Sequence, residues 1–411
     1  MELLRFLTCG SVDDGKSTLI GRMLHDANLI HDDQLAAVRD NLALLVDGLK
    51  AEREQGITID VAWRYVSTPR RKFIIADTPG HEELTRNMAT GASRCDLAVI
   101  LVDATRGPTG QTRRHAFIAA LLGIRHLVVA VNKMDLAGYA EDVFRRICDD
   151  FTGFAAKLQI TDVRFIPMVA RDGDNVVHAS AKMTWYAGGP LLAWLESVHI
   201  AGDRNLIDLR LPVQLVVRHG ELRGYAGSIA SGVLRKGDEV IVLPSLRRSR
   251  IRSILAPDGE RDEAFAPMPV MVTLEDDLDA ERGDMLVQPN NLPQLANELE
   301  AMVVWMDDAP SAERRLVLKQ TTAGIPGAAI RSVRYRINVD TLHREACAEL
   351  RLNDVGRVRI ETPRTLAFDA YDRNRVTGAF ILIDETTNAT VAAGMILDRR
   401  VAESLPEQRD R

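Results

Sequence analysis

One short glycine-rich stretch constrains this chain more than any other. Residues 10–18 match G-x-x-x-x-G-K-[ST], the pattern of a phosphate-binding loop, with strand-like sequence before it and helix-like sequence after it. Gly10 and Gly15 allow a tight backbone that turns N–H groups toward phosphate oxygens, and a helix beginning near Lys16 adds its positive dipole end. Lys16 can reach the β- and γ-phosphates, and Ser17 can offer a hydroxyl to Mg²⁺. This context favours a nucleotide site over a ligand-free turn, and its predicted residues are Gly10, Ser11, Val12, Asp13, Asp14, Gly15, Lys16, Ser17 and Thr18.

Composition and charge narrow the class of protein. The chain has 411 residues, enough for two to four domains, and its 46% hydrophobic and 27% charged residues are typical of a soluble protein. A net charge of −6 argues against a large nucleic-acid surface. The four cysteines are far apart, which indicates reduced thiols, and no apolar run approaches the ~18 residues of a membrane span. With no signal peptide at the start, we expect a cytoplasmic protein that binds neither membrane nor nucleic acid.

A second group of motifs lies between residues 56 and 81. Thr58 falls in a polar stretch typical of a nucleotide-dependent switch, where it would bind Mg²⁺ and the γ-phosphate; an ordinary strand threonine is the alternative. The apolar run 73–76 ends at Asp77, which is well placed to hold the Mg²⁺ shell. Gly80 can offer its N–H to the γ-phosphate, and His81 can orient the attacking water or cap a helix. The predicted nucleotide contacts are Asp77, Thr78, Pro79, Gly80 and His81, the predicted metal ligands are Ser17, Thr58 and Asp77, and the candidate catalytic residues are Lys16 and His81.

A third motif predicts the base of the nucleotide. The apolar strand 126–131 ends in the N-K-x-D sequence Asn132, Lys133, Met134 and Asp135. The Asp135 carboxylate can accept hydrogen bonds from guanine N1–H and the N2 amine, a pair that adenine lacks. Asn132 can bond N7 and brace the loop, and Lys133 can lie along the base. Because buried strands alternate with helices here, we expect a parallel sheet with the ligand at its carboxyl-terminal edge.

The second half of the chain has a different pattern. After a polar linker at 199–210 come short strands at regular spacing, which are typical of β-barrels, and a further polar break lies at 289–293. We predict three domains, at residues 1–202, 208–289 and 294–405. The basic run 247–252 is either a solvated hairpin face or a contact for a partner or an anion.

Taken in order, these motifs identify the chain as a translation-factor-type guanine-nucleotide GTPase, similar to elongation factor Tu. It resembles one branch more closely, the large, GTP-hydrolysing subunit of bacterial sulfate adenylyltransferase (CysN). The resemblance covers nearly the whole chain and rests on residues 10–22, 45–49, 51–62, 71–82, 85–93, 111–115, 223–227 and 301–306. It implies an α/β P-loop GTPase domain, with a mostly parallel sheet and helices on both faces, followed by two β-barrel domains.

The chain departs from the family pattern in two places. The segment before Leu45 is shorter than in the family, which trims the first switch. The family's guanine-loop sequence Ser-Ala-Leu is replaced by Val169, Ala170 and Arg171. The backbone N–H of Ala170 can still reach guanine O6, because any residue provides it, but the serine hydroxyl that normally props the loop is lost.

The resemblance implies an energy-coupling role with GTP and Mg²⁺ as cofactors. The chain would hydrolyse GTP and drive a smaller catalytic sulfate adenylyltransferase subunit that makes adenylylsulfate from ATP and sulfate, in a heterodimer or higher assembly. One alternative is an elongation-factor-like protein that binds aminoacyl-tRNA; Asp14 argues against it, because factors of the Tu type usually carry histidine there. A regulator that binds GTP without hydrolysing it is the other alternative.

Overall fold

The computed structural model describes residues 3–27, 60–81, 85–158, 160, 162–200, 205–219, 222–339 and 341–398. The chain forms two compact units. The first comprises residues 1–200 and 339–342, and the second comprises residues 201–338 and 343–411. Thr58, the predicted switch threonine, lies outside the described residues.

A six-stranded sheet forms the centre of the first unit. Its strands are β1 (Leu3–Cys9), β2 (Ala62–Ser67), β3 (Lys72–Asp77), β4 (Leu97–Asp103), β5 (His126–Asn132) and β6 (Asp162–Pro167). The spatial order is β2-β3-β1-β4-β5-β6, and only the β2–β3 pair in this described sheet is antiparallel. The register sets Thr8 beside Asp77 and Asp103 beside Asn132. Polar residues at the carboxyl ends of these strands therefore share one edge of the sheet.

Helices cover both faces of this sheet. They are α1 (Lys16–Asp26), α2 (Thr85–Ala92), α3 (Gly110–Leu121), α4 (Glu141–Lys157) and α5 (Leu191–Ser197). Alternate residues of β4, Leu97, Val99 and Leu101, share a core with residues of α1 and α5. The residues between them, which point to the opposite face, are also fully buried, and α2 and α3 contact β1 and β4. Burial on both faces explains why β4 is apolar throughout before it ends at Asp103.

The second unit begins with an antiparallel sheet. The strands in this part of the chain are β7 (Arg210–Pro212), β8 (Leu215–His219), β9 (Leu222–Ser228), β10 (Val233–Arg235), β11 (Glu239–Leu243), β12 (Arg247–Ala256), β13 (Gly259–Arg261), β14 (Glu263–Phe265), β15 (Pro269–Leu274) and β16 (Met285–Val287). The order in the sheet is β7-β16-β11-β12-β15-β9-β8, with β13 paired to β12, and β10 and β14 form a separate ribbon. Their inward-facing residues enclose one apolar core.

A closed barrel follows in the same unit. Its strands are β17 (Gln294–Trp305), β18 (Leu316–Gln320), β19 (Ala323–Ile337), β20 (Arg344–Glu345), β21 (Val355–Phe368), β22 (Ala379–Asp384) and β23 (Thr390–Ile396). Six of them form the ring β18-β22-β23-β17-β21-β19, which the β18–β19 pairing closes. The predicted architecture, an α/β domain followed by β-barrels, is confirmed. Both sheets lie in one compact unit. The predicted division into three domains stays a prediction.

A buried ion pair joins the two sheets of the second unit. The Arg210 guanidinium on β7 donates from Nε and Nη2 to both carboxylate oxygens of Asp369, each at 2.8 Å. Its Nη1 donates to the carbonyls of Leu209 and Asn291. Thr377 Oγ1 also donates to Asp369, at 2.6 Å. The pair therefore links the start of the first sheet to the segment that follows β21.

The basic run in β12 lies on an exposed strand face. The arginines of the run are exposed, whereas Ser249 and Ile251, between them, are buried. Arg248 pairs with Glu239 at 3.1 Å, and Arg252 donates to the Glu275 carbonyl at 2.7 Å. These intramolecular partners fit the solvated hairpin face, one of the two interpretations of this run. Within the described residues, no helix is both long and apolar enough to cross a membrane.

Candidate functional site

The phosphate loop connects β1, in the middle of the sheet, to the start of α1. Gly10 and Gly15 have φ angles of 148° and 94°, which lie in the region that favours glycine. A Cβ at Gly10 would lie 2.7 Å from the Leu101 carbonyl oxygen, and one at Gly15 would lie 2.5 Å from Asn132 Nδ2. Both glycines are therefore required by conformation and by close packing. The helix begins at Lys16, as predicted.

Two buried side chains hold the loop from within. Asp14 Oδ2 accepts the Ser11 N–H at 2.7 Å, and burial raises the pKa of Asp14 to about 6. His115 on α3 accepts the Gly10 N–H through Nδ1 at 3.0 Å. Burial, together with the nearby cations Lys16 and Arg114, lowers the pKa of His115 to about 3, so the imidazole stays neutral and keeps the Nδ1 lone pair that accepts this bond. His115 lies 105 residues along the chain from Gly10, and we did not predict its role from the sequence.

The Lys16 ammonium lies over the loop. Its Nζ donates to the carbonyls of Ser11 at 2.8 Å and Gly10 at 3.2 Å. Burial lowers the pKa of Lys16, an effect that Asp77 and Asp14 oppose. A Cβ placed on Gly80 would lie 2.5 Å from this Nζ, so the Asp-x-x-Gly motif packs directly against the loop. Lys16, Gly80 and the phosphate loop, all of which are predicted to contact phosphate, therefore lie next to one another.

Two of the predicted metal ligands are neighbours. Ser17 Oγ, in the first turn of α1, donates to Asp77 Oδ2 at 3.0 Å. Thr8 Oγ1 donates to the other carboxylate oxygen, Oδ1, at 2.8 Å and so fixes the carboxylate plane. Thr78 Oγ1 donates to the Thr8 carbonyl at 2.7 Å, which holds the turn after β3 against β1. Among the described residues, no three His, Cys, Asp or Glu side chains form a metal-binding cluster.

Asn132 connects the base-recognition loop to the phosphate loop. Its Nδ2 donates to the Asp14 carbonyl at 2.8 Å, and its Oδ1 accepts the Ala170 N–H at 2.8 Å. The Ala170 N–H, predicted to reach guanine O6, is directed to Asn132 in this structure. The neighbouring Met134 is fully buried and anchors the motif to the core.

The cation of the same motif, Lys133, is held by Asp103. Lys133 Nζ lies 2.8 Å from Asp103 Oδ2, at the end of β4. Burial acts to raise the pKa of Asp103, but hydrogen bonds from Lys133 and Thr105 outweigh it and bring the pKa down to about 2. Arg106 bridges Asp103 at 3.4 Å and Asp14 at 4.0 Å. These charged side chains therefore connect the base-recognition loop to the phosphate loop.

The altered guanine loop is supported by other groups than the missing serine hydroxyl. Arg22 of α1 donates to the carbonyl of Arg171. Gly173 N–H donates to the Val169 carbonyl at 2.8 Å, and Val169 N–H donates to the Asp174 carbonyl at 3.1 Å. The segment is thus held at both ends by hydrogen bonds that do not require serine at position 169.

The remaining predicted residues lie around this centre. Val12 and Thr18 are half-buried, Asp13 is exposed with a φ of 64°, and Pro79 is buried. His81 is half-buried and ends the described stretch 60–81. The structure therefore brings the phosphate loop, the Asp77–His81 motif, the N-K-x-D motif and Ala170 to one edge of the sheet.

This fold and site define a guanine-nucleotide-binding protein of the phosphate-loop class. Residues 1–215 match the Elongation factor Tu GTP binding domain family, and residues 298–397 match the GTP-eEF1A C-terminal domain-like family. The chain is 49% identical to sulfate adenylyltransferase subunit 1 of Pseudoalteromonas atlantica, over 97% of this chain and 87% of that protein. It belongs to the sulfate adenylyltransferase subunit 1 family.

The chain is also similar to a longer, bifunctional relative and to a solved structure. The chain is 55% identical to the bifunctional enzyme CysN/CysC of Rhodopirellula baltica over 97% of its own length, and it spans 64% of that protein. A solved structure of sup35 complexed with GDP is 23% identical, with a TM-score of 0.46 and coverage of 97% of this chain and 94% of that chain.

Proposed function

We propose that this chain is the GTP-hydrolysing, energy-coupling subunit of a sulfate adenylyltransferase. The observation that carries the proposal is its 49% identity, over 97% of this chain and 87% of the relative, to a protein named sulfate adenylyltransferase subunit 1. The guanine-nucleotide site described above supplies the matching chemistry. The reaction served is the attack of sulfate on the α-phosphate of ATP, which forms adenylylsulfate and releases pyrophosphate. Coupling this uphill step to GTP hydrolysis gives it a driving force.

The phosphate side of the site fits Mg–GTP. Ser17 Oγ and Asp77 are hard oxygen donors 3.0 Å apart, the kind of ligand that Mg²⁺ prefers. When bound there, Mg²⁺ would neutralise charge on the β- and γ-phosphates. Lys16 would exchange its bonds to the Gly10 and Ser11 carbonyls for phosphate oxygens. Thr58 is proposed as a further metal ligand.

Hydrolysis requires a positioned water. We assign the positioning of this water to His81. His81 directly follows Gly80, the residue that packs against Lys16. Water attacks the γ-phosphorus, the bond to the β–γ bridging oxygen breaks, and GDP and phosphate leave. Asp135 selects guanine, while the Ala170 N–H is bonded to Asn132, which ties the base loop to the phosphate loop.

The name subunit 1 implies a partner subunit. We propose a smaller catalytic subunit that holds ATP and sulfate, because the described residues contain one phosphate loop. In the bifunctional CysN/CysC relative the matching region is part of a longer chain. The first antiparallel sheet and the closed barrel of the second unit are the proposed docking and relay elements.

The direct test measures adenylylsulfate formed by this chain together with its co-purified partner. Added GTP should raise the yield, whereas a GTP analogue that resists hydrolysis should not. Lys16→Ala provides a matched control that keeps the partner but loses phosphate binding. A yield that does not change with GTP would refute the energy-coupling role.

Two measurements separate the alternatives. An elongation-factor-like protein would shift aminoacyl-tRNA on a gel in its GTP state, and we expect no shift. A regulator that never hydrolyses GTP is separated by His81→Ala, for which we expect a large loss of hydrolysis with GTP binding kept. A wild-type chain that fails to hydrolyse GTP with its partner present would support the regulator instead.

A further inference from the structure

The base-recognition loop contains a cation that the mechanism above does not use. Arg171 Nη2 lies 3.3 Å from Asp135 Oδ2, the carboxylate assigned to guanine. Arg171 Nε lies 2.9 Å from Asp172 Oδ1. The Arg171 side chain is 72% exposed, whereas that of Asp135 is only 17% exposed. The guanidinium therefore reaches from solvent onto a mostly covered carboxylate.

Arg171 and guanine present the same hydrogen-bonding edge. Guanine offers N1–H and its N2 amine on adjacent atoms, and a guanidinium offers two N–H groups on adjacent nitrogens. Either edge can pair with the two oxygens of one carboxylate. In this structure Arg171 pairs in that way with Asp172, through Nε at 2.9 Å and Nη2 at 3.4 Å, and it makes one contact with Asp135, from Nη2 at 3.3 Å. We propose that Arg171 is a built-in competitor for guanine at Asp135, a specificity-site residue that sets how tightly the chain holds its nucleotide. This inference rests on the guanine site assigned under the proposed function.

The local geometry lets the side chain move while the loop stays in place. The Arg171 carbonyl is held by Arg22, and Ala170 is held by Asn132, so the backbone on this side of the loop is fixed. Asp172 already accepts hydrogen bonds from the guanidinium at both of its carboxylate oxygens. The hydrogen bond from Arg171 lowers the pKa of Asp172, which keeps that partner charged. Arg171 can thus leave Asp135 when guanine arrives without losing every ionic contact.

The competition acts on the base and not on the phosphates. GTP and GDP carry the same base, so the apparent dissociation constants of both rise by the same factor, the reciprocal of the fraction of time that Asp135 is open. Exposed ion pairs have modest strength and weaken as salt rises. We therefore expect a factor of about two to five at low salt, which shrinks toward one in high salt.

The test is nucleotide binding by the full chain, measured by calorimetry with GDP and with a non-hydrolysable GTP analogue. Arg171→Ala should bind both about two- to fivefold more tightly at low salt, with their ratio unchanged. Asp172→Asn removes the alternative partner and should weaken binding of both. In the Arg171→Ala background, Asp172→Asn should have no effect. Arg145→Ala is the matched control, because Arg145 is 73% exposed and pairs with Glu141 on α4.

Opposite results overturn the inference. Equal or weaker nucleotide binding by Arg171→Ala would mean that Arg171 does not compete with guanine. A change in the ratio of GTP to GDP affinity would place its action at the phosphates instead. A wild-type chain that binds no guanine nucleotide would refute the guanine site itself. Normal nucleotide binding with no GTP effect on adenylylsulfate yield would refute only the coupling role and leave this inference standing.

Discussion

Replacing Arg210 with methionine should destabilise the second unit strongly. Arg210 is 1% exposed and donates to both Asp369 oxygens and to two carbonyls, at 2.8–2.9 Å. Methionine fills part of the same volume but offers no donor. The Asp369 carboxylate, which is 8% exposed, would keep only the Thr377 hydroxyl among these bonds.

The size of the effect follows from the burial of the charge that is left. Removing one partner of a buried ion pair costs about 3–5 kcal/mol, because the other charge stays buried and uncompensated. For a domain of 150–250 residues, each kcal/mol lowers the melting temperature by about 2–4 °C. Arg210→Met should therefore lower the melting temperature of the second unit by about 10 °C. Arg210→Met with Asp369→Leu should regain about 2 kcal/mol, since no buried charge remains.

Differential scanning calorimetry measures this change, and the transition of interest is the one that GTP does not shift. Arg248→Met is the matched control, because Arg248 is 64% exposed and its pair with Glu239 is worth little. A fall of less than about 2 °C in Arg210→Met, or one equal to the control, would refute the reasoning. So would a double variant less stable than Arg210→Met alone.

Three further predictions concern the nucleotide site. Gly80→Ala should lower GTP hydrolysis at least ~10-fold while GDP affinity stays within about threefold. The reason is that the new Cβ would lie 2.5 Å from Lys16 Nζ and 3.0 Å from the Gly10 carbonyl oxygen. Single-turnover kinetics measure the hydrolysis rate, and an unchanged rate would contradict this prediction. Ser17→Ala should weaken GTP binding about tenfold in Mg²⁺ but not in EDTA, and an equal loss in both would show that the hydroxyl does not act through the metal. The raised pKa of Asp14, about 6, means that its contribution to folding stability is present below pH 4 and is lost as pH rises through 6. Asp14→Asn should therefore gain up to about 3 kcal/mol over the wild type between pH 4 and 6 in urea titrations, and a gap that does not change with pH would refute the shift.

Local motifs were predictable because their chemistry requires fixed residue types at fixed spacing. The pattern at residues 10–18 predicted a helix starting at Lys16, and the structure begins α1 there. The apolar runs that end in Asp77 and Asn132 predicted strands, and β3 and β5 end at those residues. In each case a period-two burial pattern or an apolar run is visible within a few neighbouring residues.

Strand pairing in the barrels was not predictable from the same signals. Regular spacing of short strands predicted barrels, and the structure contains a closed ring of six strands. That spacing carries no information on which strands meet. β7 pairs with β16 and β17 pairs with β23, and these partners are separated by many intervening strands. Such pairings depend on long-range burial and register, which a local window does not contain.

The sequence by itself determined the chemical groups of the nucleotide site. They are the phosphate loop, Asp77 and Gly80, and the N-K-x-D motif that predicts guanine. Only the tertiary structure decided how they are held. It brought His115 to the Gly10 N–H, Asn132 to the Asp14 carbonyl, and Arg171 to Asp135. These contacts join residues 105, 118 and 36 positions apart, so each exists only after the strands have paired in their order. Burial and hydrogen bonding across the edge of the sheet select these supporting groups, and no single stretch of sequence specifies that burial or those bonds.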